Sequence, residues 1–187
     1  SHVASVAPVD AARVFPVSGG SEANESAIKL ARAYHLARGD GDRHVILARR
    51  GAYHGNSRGA LDASHRAALT AAYEPWLGQT VRVPLVNPYR DARTGEEHAA
   101  EIDRIIRETG SSRVAAFLAE PISGATLGAV VPPDDYWPAV TDALRSHGVL
   151  LIMDEVMTGF GRTGRGFGAD HWGGRPDVKT SAKGVSS

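Results

Sequence analysis

The segment Gly148–Met153, GVLLIM, is apolar along its whole length and runs straight into Asp154 and Glu155. A strand with one face in water alternates apolar and polar residues, whereas an unbroken apolar strand needs cover on both faces. This run therefore requires an inner strand of a layered sheet, with two carboxylates at its carboxyl end. Val114–Ala119 (VAAFLA) reads the same way and ends in Glu120. His44–Ala48 (HVILA), Thr80–Val86 (TVRVPLV) and Val178–Ser181 supply further strands, and Arg13–Val17 (RVFPV) a first one, weakened by Pro16. Pro84 lacks an N–H for a ladder and puts the TVRVPLV strand near an edge. Between the strands lie helix-period segments. Ser21–Ala37 carries Ala23, Ala27, Leu30, Ala31 and Tyr34 on one face, Glu97–Glu108 turns Ile102, Ile105 and Ile106 inward, and Asp135–His147 follows. Such alternation specifies an α/β fold of three layers around a mostly parallel sheet. Ligands of these sheets bind at the carboxyl ends of the strands.

Composition narrows the partners. Lys+Arg and Asp+Glu are 21 each, so no charge excess points to nucleic acid or to an anionic membrane. No apolar run approaches the roughly 20 residues of a membrane helix. Zero Cys excludes disulfides and thiolate metal sites, accords with a reducing compartment, and leads to a cytoplasmic expectation; no metal is expected.

The distinctive residues sit where strands end. Ser18-Gly19-Gly20-Ser21 passes from a strand directly into a helix. Glycines allow close backbone approach, and the N–H groups of a first helical turn suit a phosphate. Ser21 can cap that helix or offer its hydroxyl. A plain strand–helix turn explains the segment equally well. It is neither a Walker loop nor a dinucleotide fingerprint, because the required lysine and glycine spacing are absent. Gly51-Ala52-Tyr53-His54-Gly55 places an aromatic between glycines, suited to lying on a planar ring or to plugging a loop. Asp154, after so apolar a strand, needs a cationic partner, either a protonated ring nitrogen or an arginine. Lys183, in Thr180-Ser181-Ala182-Lys183-Gly184, stands among small residues; Lys179, inside the strand before it, is the poorer nucleophile candidate.

Taken in order, SGGSEANESAIKLAR, GAYHG, AEPI, LLIMDEVMTGFGRTG and PDVKTSAKG closely resemble the class III aminotransferases of the ornithine and omega-amino-acid type. These are pyridoxal-phosphate enzymes of fold type I, and the resemblance covers nearly the whole chain. It implies transamination between an amino acid or amine and a keto acid. It implies that Lys183 forms the Schiff base with the cofactor and that Asp154 keeps the pyridine nitrogen protonated. Tyr53 and Val156 would cover the two faces of the ring, Gly20 and Ser21 would hold the phosphate, and His54 and Glu120 would stand in the second line of the pocket. Arg162, in the GFGRTG loop, matches a family signature without a physical role of its own. After Glu120-Pro121-Ile122-Ser123-Gly124 the glutamate-using branch often carries an acid that pairs with a switching arginine. Here Ala125 stands in that place, which aligns the chain with omega-transaminases that use pyruvate or an amine.

An aminomutase or decarboxylase on the same cofactor would keep all these residues. A non-catalytic phosphate-binding module would keep only the Gly-Gly-Ser turn, and an inactive truncated product would keep the parent's residues without its activity. The resemblance further implies a homodimer and a longer protein. Residues 1–187 would be part of the large cofactor-binding domain, with an N-terminal segment, the end of that domain and a small C-terminal domain outside them. On that reading the sheet neighbour of Arg13–Val17 is missing, and a gap of about one strand, ~5 Å on each side, is expected beside it.

Overall fold

The computed structural model describes residues 13–186. Five parallel strands form one sheet in the order β2-β1-β3-β4-β5: β1 is Val45–Arg49, β2 Thr80–Val83, β3 Val114–Ala119, β4 Leu150–Asp154 and β5 Val178–Thr180. The central strands β1 and β3 are buried at every residue, as their unbroken apolar runs require. β2 stops at Val83, before Pro84, and forms one edge among the described residues.

Side-chain alternation divides the core in two. Leu47, Phe117, Ala119, Leu151 and Met153 face α4 (Gly95–Thr109) and α5 (Tyr136–Ser146), where Ile102, Ile106, Trp137, Val140 and Leu144 are buried. The opposite face is built from Ile46, Ala48, Ala116, Leu118 and Ile152 and carries the 18-residue helix α1 (Gly20–Ala37) through Ala27 and Ala31. The ladder between β1 and β3 shifts register at Val45/Ile46. Beside that shift the Ala115 carbonyl is met by His35 Nε2 at 2.9 Å, so a buried polar side chain satisfies a buried backbone acceptor. Two short helices, α2 (Arg58–Ala63) and α3 (Ala67–Thr70), lie between β1 and β2. No helix among the described residues is long and apolar enough to cross a membrane.

Three expectations are corrected. Residues 13–17 join no ladder among the described residues, so they are not the strand read from the sequence, while their place outside the sheet is what a missing sheet neighbour leads one to expect; Val14, Phe15 and Val17 are exposed. An apolar pentapeptide is a strand only where a neighbour accepts its hydrogen bonds, and Pro16 offers none. The buried stripe of α1 is Asn24, Ala27, Ala31 and His35, while Leu30 and Tyr34 face outward. Asn24 and His35 can be buried because each finds hydrogen-bond partners across the sheet. Ser21 does not cap α1: the helix starts at Gly20 with Gly19 as its N-cap, and Ser21 lies inside the first turn.

Candidate active site

The carboxyl ends of β1, β3, β4 and β5 and the first turn of α1 surround one cleft of about 210 Å³. Gly20 and Ser21 of α1, Tyr53 and His54 after β1, and Glu120 after β3 line it. So do Asp154 and Val156 at the end of β4 and Lys183 after β5. Every residue singled out from the sequence for the site therefore meets in the same place. Lys179 points elsewhere: its Nζ is 3.6 Å from Asp170 and 4.3 Å from the centre of the Phe167 ring.

Backbone economy lets the segments meet. A Cβ on Gly20 would stand 3.0 Å from both methyls of Val156, and one on Gly55 would stand 2.5 Å from Ser21 Oγ. Gly55 also has φ 137°, which other residues adopt at a cost. Ser21 Oγ donates to Asn56 Oδ1 at 2.9 Å and accepts from Asn56 N at 3.1 Å, stitching the loop to the helix. Glu25 completes that join by accepting from Ser57 Oγ and from the Gly59 and Ala60 N–H groups at the start of α2.

Asp154 is buried at the floor. Its Oδ2 accepts from Asn24 Nδ2 and His54 Nδ1, both at 2.8 Å, and its Oδ1 from the Val156 N–H at 3.0 Å. Oδ2 is saturated; Oδ1 keeps a lone pair. His54 Nε2 and Glu120 Oε2 are buried at the same cleft without a hydrogen-bond partner among the described residues. Burial pushes the Glu120 carboxyl above its usual range, opposed by His54 and Arg49 and reinforced by Asp154. Arg49, itself buried, donates to the Glu120 carbonyl and lies 3.7 Å from Glu120 Oε2, with its guanidinium over the Trp137 ring. Trp137 Nε1 donates to the Pro121 carbonyl at 3.0 Å, fixing the same turn from the other side.

Lys183 is exposed at the rim and opens a short 3-10 turn with φ 31°, a conformation uncommon for a residue with a side chain. Glu155, the other carboxylate after β4, does not face the cleft. It is buried and accepts from Thr158 Oγ1 and from the Gly168 and Ala169 N–H groups, anchoring the far end of the Gly-rich loop to the sheet. Arg162 lies exposed on that loop.

Sequence reasoning gave no role to Asn24, Arg49 and Met157, nor to Glu155, which it noted only as the second carboxylate after the strand. Arg49 carried a signal, being a charge that closes an apolar strand just as Asp154 does. Asn24 lay within a quoted motif but reads as an ordinary helical residue. Met157 and Ala125 add apolar wall to the cleft. The arrangement offers an anion-seeking helix end, a fixed acceptor at the floor and an amine at the rim.

The chain matches the family model described as "Aminotransferase class-III" over residues 1–187. It is 44% identical over 176 residues to an uncharacterized aminotransferase of Bacillus subtilis, covering 93% of this chain and 39% of that protein. It is 35% identical over 193 residues to the putrescine–pyruvate aminotransferase of Pseudomonas aeruginosa, covering 99% and 42%. The crystal structure of a thermostable (S)-enantioselective omega-transaminase from Thermomicrobium roseum superposes with a TM-score of 0.85 at 45% identity, covering 91% of this chain and 39% of that one. The chain thus spans about two fifths of the length of these relatives. With five parallel strands between helical layers, a cleft at their carboxyl ends and a family match from the first residue to the last, this chain belongs to the class III aminotransferases.

Proposed function

We propose that the protein to which these residues belong moves an amino group between an amine or amino acid and a keto acid, using pyridoxal phosphate. The observation that carries this reading is the convergence of Lys183, Asp154 and the first turn of α1 on one cleft. The residues present fit the cofactor. Two buried polar atoms, His54 Nε2 and Glu120 Oε2, lack a hydrogen-bond partner among the described residues, although Arg49 stands 3.7 Å from the second, and a polar aromatic ligand would supply one. When bound, pyridoxal phosphate supplies an electron sink for the bonds at the substrate's amino-bearing carbon. The N–H groups of Gly20 and Ser21 hold an anion against the positive end of α1. Asp154 Oδ1, with its free lone pair, takes a protonated ring nitrogen. Val156 and Tyr53 would cover the faces of a planar ring, and His54 and Glu120 would border it. Lys183 would hold the cofactor covalently, and its amine would serve as the base that moves a proton. Its neighbours Ala182 and Gly184 leave it room to do so.

Ala125 puts a methyl group in the cleft wall where the glutamate-using branch often carries an acid, which favours pyruvate as acceptor and an amine or omega-amino compound as donor. Relatives named putrescine–pyruvate and taurine–pyruvate aminotransferase accord with that choice. In the full-length protein the remaining sheet, a small C-terminal domain and a second subunit would close the cleft, making a cytoplasmic homodimer. The test uses the purified full-length protein. It is expected to absorb visible light, to bleach with borohydride, and to form alanine from pyruvate with an amine donor. A colourless protein that takes up no pyridoxal phosphate and forms no alanine would overturn the proposal.

A further inference from the structure

Asn24 has no part in the roles assigned so far, yet it is completely buried and its side chain touches three other segments. Its Nδ2 donates to the His54 carbonyl at 2.7 Å and to Asp154 Oδ2 at 2.8 Å. Its Oδ1 accepts from Thr180 Oγ1 at 2.6 Å. The amide can be oriented only one way. Both acceptors lie on one side, where only an NH2 group can satisfy them, and the Thr180 hydroxyl lies on the other.

We infer that Asn24 is a positioning residue that sets the plane of the Asp154 carboxylate, with Thr180 holding the Asn24 amide in register. Asn24 and His54 occupy both lone-pair directions of Oδ2, so the carboxylate cannot rotate without losing two buried hydrogen bonds. Oδ1, held by the Val156 N–H alone, becomes the oxygen presented to the cleft. A carboxylate held by one contact would swing, and the charge it offers a ligand would be spread over several directions. Preorganisation of this kind is what gives a buried charge its effect. The inference rests on the cofactor reading above for what Asp154 finally meets, but the clamp itself belongs to the chain without ligand.

Asn24→Asp tests it, because the new side chain is isosteric and turns a donor into an acid. The titratable groups facing that position are Asp154 at the end of β4, His54 after β1 and Glu120 after β3 with Arg49 behind it; Lys183 lines the same cleft. Two carboxyls in contact share one proton until the pH overcomes their mutual repulsion. While the proton stays, the introduced carboxyl donates its one hydrogen to Asp154 and leaves the His54 carbonyl without the donor that the amide gave it. Once it leaves, like charges drive the Asp154 carboxylate out of plane.

The full-length protein and its Asn24→Asp, Asn24→Ala and Thr180→Val variants are titrated with pyridoxal phosphate from about pH 5 to about pH 9, the span in which a carboxyl pressed against another gives up its proton. The melting temperature of each cofactor-free form is followed over the same range. Asn24→Asp is expected to bind best at the acid end, weaker than wild type because the His54 carbonyl has lost its donor, and to weaken about tenfold further towards the alkaline end, where repulsion replaces the hydrogen bond to Asp154. Its cofactor-free melting temperature should fall over the same interval. Asn24→Ala should bind weakly throughout without that step, and Thr180→Val should weaken binding severalfold at all pH values. Curves for Asn24→Asp that run parallel to wild type in both measurements overturn the inference, since a mere packing residue would lose stability without a pH step. If Asn24→Asp does not fold, Thr180→Val decides: unchanged binding overturns the inference. Wild type that takes up no cofactor sinks the functional proposal, while a melting step in cofactor-free Asn24→Asp still supports the clamp.

Discussion

Replacing Asp154 with Asn keeps the side chain's volume and exchanges one oxygen for an NH2 group. The carboxylate accepts three donors: Asn24 and His54 on Oδ2, and the Val156 N–H on Oδ1. An amide has one acceptor oxygen. Its better orientation leaves that oxygen under Asn24 and His54 and turns the NH2 on the Val156 N–H, so that donor meets donor. A buried donor left unmet costs about 1–3 kcal/mol. The two surviving bonds pass from charge-assisted to neutral, at about 1 kcal/mol each. Removing the desolvation cost of a buried carboxylate returns part of this loss. The net destabilisation is therefore expected near 2–3 kcal/mol, which leaves a domain of ordinary stability folded. Turnover should fall much further, by about 3–4 kcal/mol of barrier or 10²–10³-fold, the scale of one lost preorganised partner. Denaturant unfolding of the cofactor-free protein measures the first quantity and the rate of alanine formation from pyruvate the second. Turnover within about threefold of wild type, less than 1 kcal/mol of barrier, would refute the argument and leave Asp154 as an anchor for the loops around it.

Three further outcomes are expected. Lys183→Ala should abolish borohydride-sensitive absorbance and nearly all transamination, whereas Lys179→Ala should retain both and only lower the melting temperature, because Lys179 is bound to Asp170 and Phe167; the reverse pattern would sink the assignment of Lys183. Burial raises the Glu120 carboxyl, so the folded protein holds that proton when the unfolded chain has released it, and stability is lost as pH rises above about 4.5. Glu120→Gln should therefore gain stability relative to wild type as pH rises from that point, and parallel unfolding curves would contradict it. Glu155→Gln leaves one of the Gly168 and Ala169 N–H groups facing an NH2, with an expected loss of about 1–3 kcal/mol and faster proteolysis within residues 159–166; unchanged cleavage would show that the loop is held by other contacts.

The sheet was legible in the sequence because burial on both faces leaves an unmistakable mark. GVLLIM and VAAFLA could be nothing other than inner strands, and the residues that follow each one lie in the cleft. Helix α1 was legible in extent but not in orientation. Its apolar residues suggested one face and its buried polar residues chose another, since Asn24 and His35 Nε2 are hydrogen-bonded to partners 130 and 80 positions away. Local periodicity carries no record of such partners. The same holds for Arg49, whose contact with Glu120 spans 71 positions, and for Thr180 with Asn24, at 156. The residues that would touch a ligand stand out by type and place, while those that hold them still do not. Helix α2 escaped notice because six residues are too few to display a period.

The two sides of the sheet are built to different gauges. Towards α4 and α5 the filling is rich in Phe, Leu, Ile and Trp; towards α1 the helix contributes Ala27 and Ala31 to a cluster that holds Ala48 and Ala116 beside Ile46, Leu118 and Ile152. A helix whose fully buried apolar residues are alanines sits at a small height above the sheet and has little side chain of its own there that can yield. The mouth of the cleft inherits that height, because α1 brings Gly20 within touching distance of Val156. A single added methyl group under Ala31, more than a turn from any residue lining the cleft, would tilt the helix like a shim under a beam and part its first turn from Val156. The width of the cleft is thus written partly in residues that never meet what it binds. Variants that reshape its specificity can be sought beneath the helix as well as along the walls.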